Sequence, residues 1–445
     1  MAVAAQDAGG VLDTPMPEGW NDDSEVFQQT LPVDDRWWEL FNDPTLDSLI
    51  AVATERNYSV ETALMRMEQA RRQVAITRGG LLPTLELGGG WTRQQTGGET
   101  RSWSGKYNLT ATMSWEIDVF GAVRGRIRAE RENFRASADE VNAVMVSLCA
   151  QVATSYINLR QYQQERKVLL DNCRSQQAVV ELTEARQRSG LSSSLDVAQA
   201  RSVYYGTLAS VPAVEADIVS TMNQLAVLLG SYPQNMVPGL VAARPLPQYI
   251  EVVGVGVPAG LLRRRPDVRK AERQVSAQAA LYGVSKKQWL PTFFLNGSVG
   301  YGASELSGLV KANSLSWQLA PSVSWTLFDG GSRYNSVRQS RAALDEAIGQ
   351  YNLTVMQAMQ EAENAMASYK HSLEQIVATR QALNMSTRAL ELSLDLYKQG
   401  LSPFQNVLDA QRSQLSYEDA LVQAQGASLV NLVSLYQALG GGWEP

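Results

Sequence analysis

Residues 107–119 read YNLTATMSWEIDV and alternate without a break. Tyr107, Leu109, Ala111, Met113, Trp115, Ile117 and Val119 are apolar or amphipathic, whereas Asn108, Thr110, Thr112, Ser114, Glu116 and Asp118 are polar. A period of two over this length predicts a strand with one greasy face and one wet face, long enough to cross a membrane at a tilt. A weaker copy runs from Trp317 to Leu327, with Trp317, Leu319, Pro321, Val323, Trp325 and Leu327 on one face. Pro321 weakens it, because proline gives no N–H to a sheet ladder.

The doubling extends along the chain. Leu82-Pro83-Thr84 recurs as Leu290-Pro291-Thr292, Ser114-Trp115 as Ser324-Trp325, Gly190-Leu191-Ser192 as Gly400-Leu401-Ser402, and Leu229-Gly230 as Leu439-Gly440. The offset stays at 208–210, so the chain holds two copies of one unit, too few for a solenoid. Residues 1–34 read as an extended arm, 35–240 as the first repeat, 241–262 as an equatorial linker and 263–445 as the second repeat. Each repeat reads helix, strand, polar loop, strand, long helix, turn, helix. Strands are expected near 84–94, 107–119, 292–302 and 317–327. The stretch 122–188 has no proline, and its apolar residues Val141, Val144, Leu148, Val152, Tyr156 and Leu159 step by three and four. Such a helix would be on the order of 100 Å long. Gly190 is its natural stop, and a return helix spans 194–229. The second repeat gives 333–399, Gly400, then 404–439.

Bulk properties narrow the function. A net charge of −6 disfavours nucleic-acid binding. No apolar run is long enough for a transmembrane helix, so a membrane role rests on the strands. The start MAVAAQDAGG reads as a mature sequence carrying an added Met. Cys149 and Cys173 are 24 positions apart in one helix and cannot bridge there. The one histidine, His371, has no metal-ligand companions, and Gly88-Gly89-Gly90 lacks the lysine of a phosphate loop. These features predict no enzyme and no cofactor.

Four amphipathic strands cannot close a barrel alone, and an open edge in lipid leaves backbone groups unpaired. Strands must then be pooled with identical copies, two giving eight and three giving twelve. The competing reading is a soluble sheet beside a pore-less periplasmic coiled-coil scaffold.

Several strings, in order, resemble the outer membrane factor (TolC-like) family and its multidrug-efflux branch: WWELFNDPTLDSLI (37–50), SWEIDVFG (114–121), LLRRRPDVRKAE (261–272), YKQGLSPFQNVLDAQRS (397–413) and ALGGGW (438–443). The resemblance implies a mainly α fold with β: a homotrimer whose chains each give four strands to one outer-membrane β-barrel, continuous with a long periplasmic α-helical barrel. It implies a passive exit duct of a tripartite pump for drugs or other small molecules. Its partners would be a periplasmic adaptor, an inner-membrane RND-type transporter and outer-membrane lipid. A type I protein-secretion duct is the variant within the family. Members of the branch are often lipoproteins modified on an N-terminal cysteine, which this chain does not show.

The resemblance also places the site. The turns Gly190-Leu191-Ser192 and Gly400-Leu401-Ser402 would be the periplasmic tip where the adaptor docks. Asp409 takes the position of a gate carboxylate, with Asp196 as its counterpart in the first repeat and Tyr397 bonded to Asp196 to hold the tip shut. Leu401 and Phe404 would add an apolar constriction. Asn406 stands where some relatives place a second acid, and Ser402 where some place a basic residue. The plainer reading from spacing is that these polar groups cap or solvate helix starts. Trp91, Trp103, Tyr107, Trp115, Tyr301, Trp317 and Trp325 are expected at the membrane interfaces. The run Arg124, Arg126, Arg128, Arg131 and Arg135 follows the second strand and reads as a solvated helix face or a contact with anionic headgroups.

Overall fold

The computed structural model describes residues 17–21, 24, 26–29, 33–96, 102–235, 238–249, 253–260 and 264–443. Most of the arm read at 1–34 and the tip of the first hairpin loop lie outside them. The described elements are β1 (Phe27–Gln28), α1 (Pro44–Arg56), α2 (Tyr58–Gly79), β2 (Thr84–Thr96), β3 (Ser102–Ile117), α3 (Ala122–Arg188), α4 (Ser194–Leu228), β4 (Val253–Gly254), α5 (Pro266–Lys287), β5 (Thr292–Ala303), β6 (Leu315–Ser324), α6 (Ser332–Lys398) and α7 (Phe404–Ala438). They fall into two compact units. One takes in 64–139 and 270–353, the other 140–269 and 354–443 with the described residues up to 63.

The first unit is built on an antiparallel sheet of order β2-β3-β5-β6. Its register puts every odd position on one face: Leu85 lies opposite Met113, Leu87 opposite Ala111, Trp91 opposite Tyr107, Leu295 opposite Trp115, and Phe293 opposite both Ile117 and Val323. The even positions, among them Thr84, Thr110, Thr112, Ser114, Asn296 and Gln318, line the other face, where Phe294 is the one large apolar intruder. The apolar face is uncovered: Leu85 and Trp317 are each 77% exposed. Leaving such side chains in water forfeits about 1.5–3 kcal/mol each. The edges, β2 and β6, have no partner strand among the described residues. Pro321 sits in the edge strand β6, where proline is tolerated.

The strand read at 107–119 begins earlier, at Ser102, and stops at Ile117. Asp118 ends it by turning to cap α3, accepting from the Val123 and Arg124 N–H groups at 3.0 Å each. No described helix is long and apolar enough to cross a membrane.

The second unit holds α4 and α7 whole and the C-terminal parts of α3 and α6, and the helix lengths recur. α3 and α6 have 67 residues each, and α4 and α7 have 35 each. All four end alike, with a left-handed glycine at 190, 230, 400 and 440. The following N–H bonds back to the helix, as from Leu191 to Arg186 O at 2.8 Å and from Leu401 to Leu396 O at 2.9 Å. Gly230 is the tightest: a Cβ there would lie 2.3 Å from the carbonyl oxygen of Arg56.

The main core of this unit stacks Trp37 on Tyr436 at 5.6 Å and gathers Phe41, Leu46, Ile157, Leu225 and Leu432 around them. Tyr156 donates its hydroxyl to Asp43, the cap of α1. Arg160, 0% exposed, satisfies its charge with Gln163 Oε1 at 2.6 Å, the Ala242 carbonyl at 2.8 Å and the Tyr156 ring. Chain start, linker and chain end meet here. Val253 and Gly254 pair with Phe27 and Gln28, Arg264 bonds Asp35, and Trp443 donates to Arg264 O at 3.0 Å.

Two predictions follow from these environments. Gly230→Ala combines a left-handed backbone with a backbone clash and should cost about 2 kcal/mol or more in urea unfolding of the detergent-solubilised protein. Glu165 is buried in this unit, with its carboxyl held above the usual range by desolvation first, then by Asp419 and Asp217, against a bond from Gln161. A raised folded pKa favours the protonated acid, so Glu165 contributes fully only below the ordinary carboxylate value, and that contribution is lost as pH rises through the raised one. Glu165→Gln should therefore raise the melting temperature more near about pH 8 than near about pH 4; an equal change at both would contradict this account.

Candidate functional site

The turn between α3 and α4 and the turn between α6 and α7 form one side-chain network. Ser193 caps α4 in a reciprocal capping box, its side chain accepting from the Asp196 N–H while the Asp196 carboxylate accepts from the Ser193 N–H. Ser192 Oγ donates to Asp196 Oδ2 at 2.7 Å and lies 3.1 Å from Tyr397 Oη. With the serine proton committed to the carboxylate, the tyrosine O–H donates to Ser192. The order is Tyr397 to Ser192 to Asp196. This corrects the direct Tyr397–Asp196 bond expected from the resemblance: the carboxylate is already held in its capping box, and Ser192 fills the gap.

Tyr397 is buried, with the Arg186 guanidinium 4.8 Å from its ring centroid and the Phe404 ring 5.0 Å away. Arg186 also donates to Lys398 O at 2.8 Å, tying the end of α3 to the end of α6. Val179, Ala200, Leu390, Val407 and Leu408 complete an apolar knot under the turns. Phe404, 3% exposed, belongs to that knot, so it offers no surface to a constriction; Leu401, 71% exposed, does. The equivalence between Asp409 and Asp196 also fails. Counted from the N-caps Ser193 and Pro403, the third helical position holds Asp196 in α4 and Asn406 in α7. Asn406 donates to Ser402 Oγ at 2.9 Å. Asp409 lies further along, solvent-facing, with Gln405 Nε2 at 2.9 Å and Arg412 at 4.0 Å. Gly190 and Gly400 shape the turns with left-handed backbones, and Leu191, like Leu401, is exposed.

Sequence reasoning did not single out Arg186 or the bridging role of Ser192. The string SSSLD (192–196) carries the capping-box signature, which was the available signal.

The sheet aromatics lie toward both ends of their own strands. Trp115 donates from Nε1 to Leu81 O at 3.0 Å, and Trp325 to Trp289 O at 3.2 Å, both beside the helical ends of the strands. Toward the hairpin ends, Trp91 packs on Tyr107 at 6.2 Å, Arg93 covers Trp103 at 4.9 Å, Trp317 lies opposite Val299, and Tyr301 opposite Leu109. From Trp115 to Tyr107 the strand advances roughly 26 Å, which at the roughly 40° tilt of barrel strands is about 20 Å of height against an apolar band of roughly 25 Å. His371 is exposed and pairs with Glu374 at 3.0 Å. Among the described residues no cluster of three ligating side chains fits a metal.

The family model for outer membrane efflux proteins matches residues 49–231 and again 257–441. The chain is 30% identical over 440 residues to the pyoverdine export outer membrane protein OpmQ of Pseudomonas putida, covering 96% of this chain and 92% of the relative. It is 29% identical over 437 residues to nodulation protein T of Rhizobium leguminosarum bv. viciae, covering 97% of this chain and 89% of the relative. The solved outer-membrane channel OprN superposes with a TM-score of 0.91 at 31% identity, covering 97% of this chain and 98% of the other. The chain belongs to the outer membrane efflux protein family, and it acts in the outer membrane as an efflux duct.

Phe404→Ala should cost about 3 kcal/mol and loosen the turns, because it empties the knot. Limited proteolysis is expected to cut first near 190 and 400, whereas Leu401→Ala leaves the cleavage rate unchanged.

Proposed function

We propose that three copies pool their strands into one twelve-stranded barrel and that the helices continue it as a hollow periplasmic duct, passive and gated. The observation that carries this is the sheet, with one uncovered apolar face and two edges unpaired among the described residues. In lipid the apolar face is solvated and each edge pairs with a neighbour's, which removes both liabilities together. The substrates are small molecules delivered by an inner-membrane RND-type transporter through a periplasmic adaptor, which docks on the exposed turn residues Leu191 and Leu401. The efflux names borne by its relatives favour this over protein secretion.

The tip is the gate. The Tyr397–Ser192–Asp196 relay holds α6 to the start of α4, and Asp409 contributes a ring of three like charges that favours cations. In planar bilayers Tyr397→Phe and Ser192→Ala should each raise the open probability, and the double variant should add little, since both break one relay. Asp409→Ala should weaken cation preference. The assembly is tested by light scattering in mild detergent with the detergent mass subtracted. A trimer is expected, and a monomer that stays soluble without detergent would remove the barrel and the duct.

A further inference from the structure

Below the sheet, α3 carries Arg124, Arg128, Arg131 and Arg135 at steps of four, three and four, which puts all of them on one helical face. Two cavities open along that face. One, of about 390 Å³, lies between α2 and α3 and is lined by Arg71, Arg72, Arg78, Arg131 and Arg135 over an apolar floor of Val74 and Phe134. The other, of about 340 Å³, lies between α3 and α5 and is lined by Arg124, Arg128 and Lys287 with Phe120 at its rim. Neither is lined by a carboxylate.

Some of this charge is balanced nearby. Arg124 pairs with Asp118 at 3.1 Å, Arg135 with Glu132 at 2.7 Å, and Arg71 and Arg72 share Glu68 at 3.5 and 2.7 Å. Arg78, Arg128 and Arg131 have no acidic partner within ion-pair distance among the described residues. The second repeat carries the same step 210 positions on, at Arg338 and Arg341.

The cavities are continuous with the apolar sheet face. Phe120 packs 6.2 Å from Phe293, which lies on that face opposite Ile117. Leu81, whose carbonyl anchors Trp115, packs with the Val74, Val123 and Ile127 cluster beneath the first cavity. From Arg124 to Arg128 the helix advances about 6 Å, comparable to the roughly 5–8 Å by which a headgroup layer extends beyond the hydrocarbon.

We propose that the two cavities bind the phosphate groups of anionic phospholipids in the leaflet at the base of the sheet, with Arg78, Arg128 and Arg131 as ligands and Phe120 and Phe134 against the glycerol and upper acyl chain. The inference rests on the sheet lying in the membrane. A basic helix face alone would be solvated; what distinguishes this one is that its unpaired arginines line concave sites bordered by apolar side chains at headgroup depth.

Native mass spectrometry of the full chain in detergent tests it, with phosphatidylglycerol and phosphatidylcholine of identical acyl chains titrated separately. The wild-type trimer should retain phosphatidylglycerol in preference, and Arg128→Gln with Arg131→Gln should lower that retention about tenfold or more. Arg126→Gln, on the opposite side of α3, should leave it unchanged. Inorganic phosphate should not displace the lipid, because it makes no use of the apolar rim. Equal retention of the two lipids by the wild-type trimer would overturn the inference while leaving the duct intact, and needs no variant to fold. Displacement by phosphate alone, or an equal loss in Arg126→Gln, would also overturn it. A monomeric mass would overturn the sheet's membrane placement and this site with it.

Discussion

A four-stranded sheet with one apolar face is left, among the described residues, with two bare edges. In water the uncovered leucines and tryptophans are costly. In lipid they are at home, but unpaired N–H and C=O groups along β2 and β6 are then intolerable. In the proposed assembly a copy of the same chain supplies both the missing partner strand and the same lipid-facing surface. The wet face carries the other half of the pattern: Thr110, Thr112, Ser114 and Asn296 are polar, as the proposed closure, which turns one side toward water, requires. The close approach at Gly300 belongs to that face too, where a Cβ would sit 2.6 Å from the Leu109 carbonyl oxygen.

Much of this was legible because the signals were periodic and unbroken. The alternation at 107–119 assigns each side chain to a face before any neighbour is known. The proline-free stretch after Ala122 and the stop at Gly190 mark out the long helix. The sheet order was not legible. Nothing local says that β3 pairs with β5 across about 180 intervening positions, since that pairing depends on where two hairpins meet. Arg160 was also hidden: a guanidinium within an apolar helical stripe looks like an exposed interruption, and only the fold brings Gln163 and the Ala242 carbonyl to it.

At the tip, analogy between the repeats misled. Asp196 and Asp409 are both acids early in a return helix, yet the turns set Asp196 opposite Asn406. The two starts differ in chemistry as well as position. Ser193 gives α4 a side-chain cap, whereas Pro403 gives α7 none and Asn406 turns to Ser402 instead. Phe404 illustrates a general blindness of pattern reading. An aromatic at a helix start has the same periodicity whether it faces its own chain, a second copy or a pore, and only its packing against Tyr397 decides.

That division of labour bears on how a tip of this kind could open. The apolar knot draws Val179, Ala200, Tyr397 and Phe404 from all four helices, and the Tyr397–Ser192 and Arg186–Lys398 bonds add polar ties between the turns. A net hydrogen bond contributes about 1 kcal/mol, and of the relay only the Tyr397–Ser192 bond crosses between the turns, so it is a latch of about that size. A protein that binds the parted arrangement more tightly by that margin shifts the equilibrium toward it. In the proposed opening Tyr397 parts from Ser192, and Asp196 keeps its capping partner Ser193. The serine between tyrosine and acid thereby separates two tasks that a direct bond would merge: the carboxylate caps the start of α4, and the hydroxyl contact reaches across to α6.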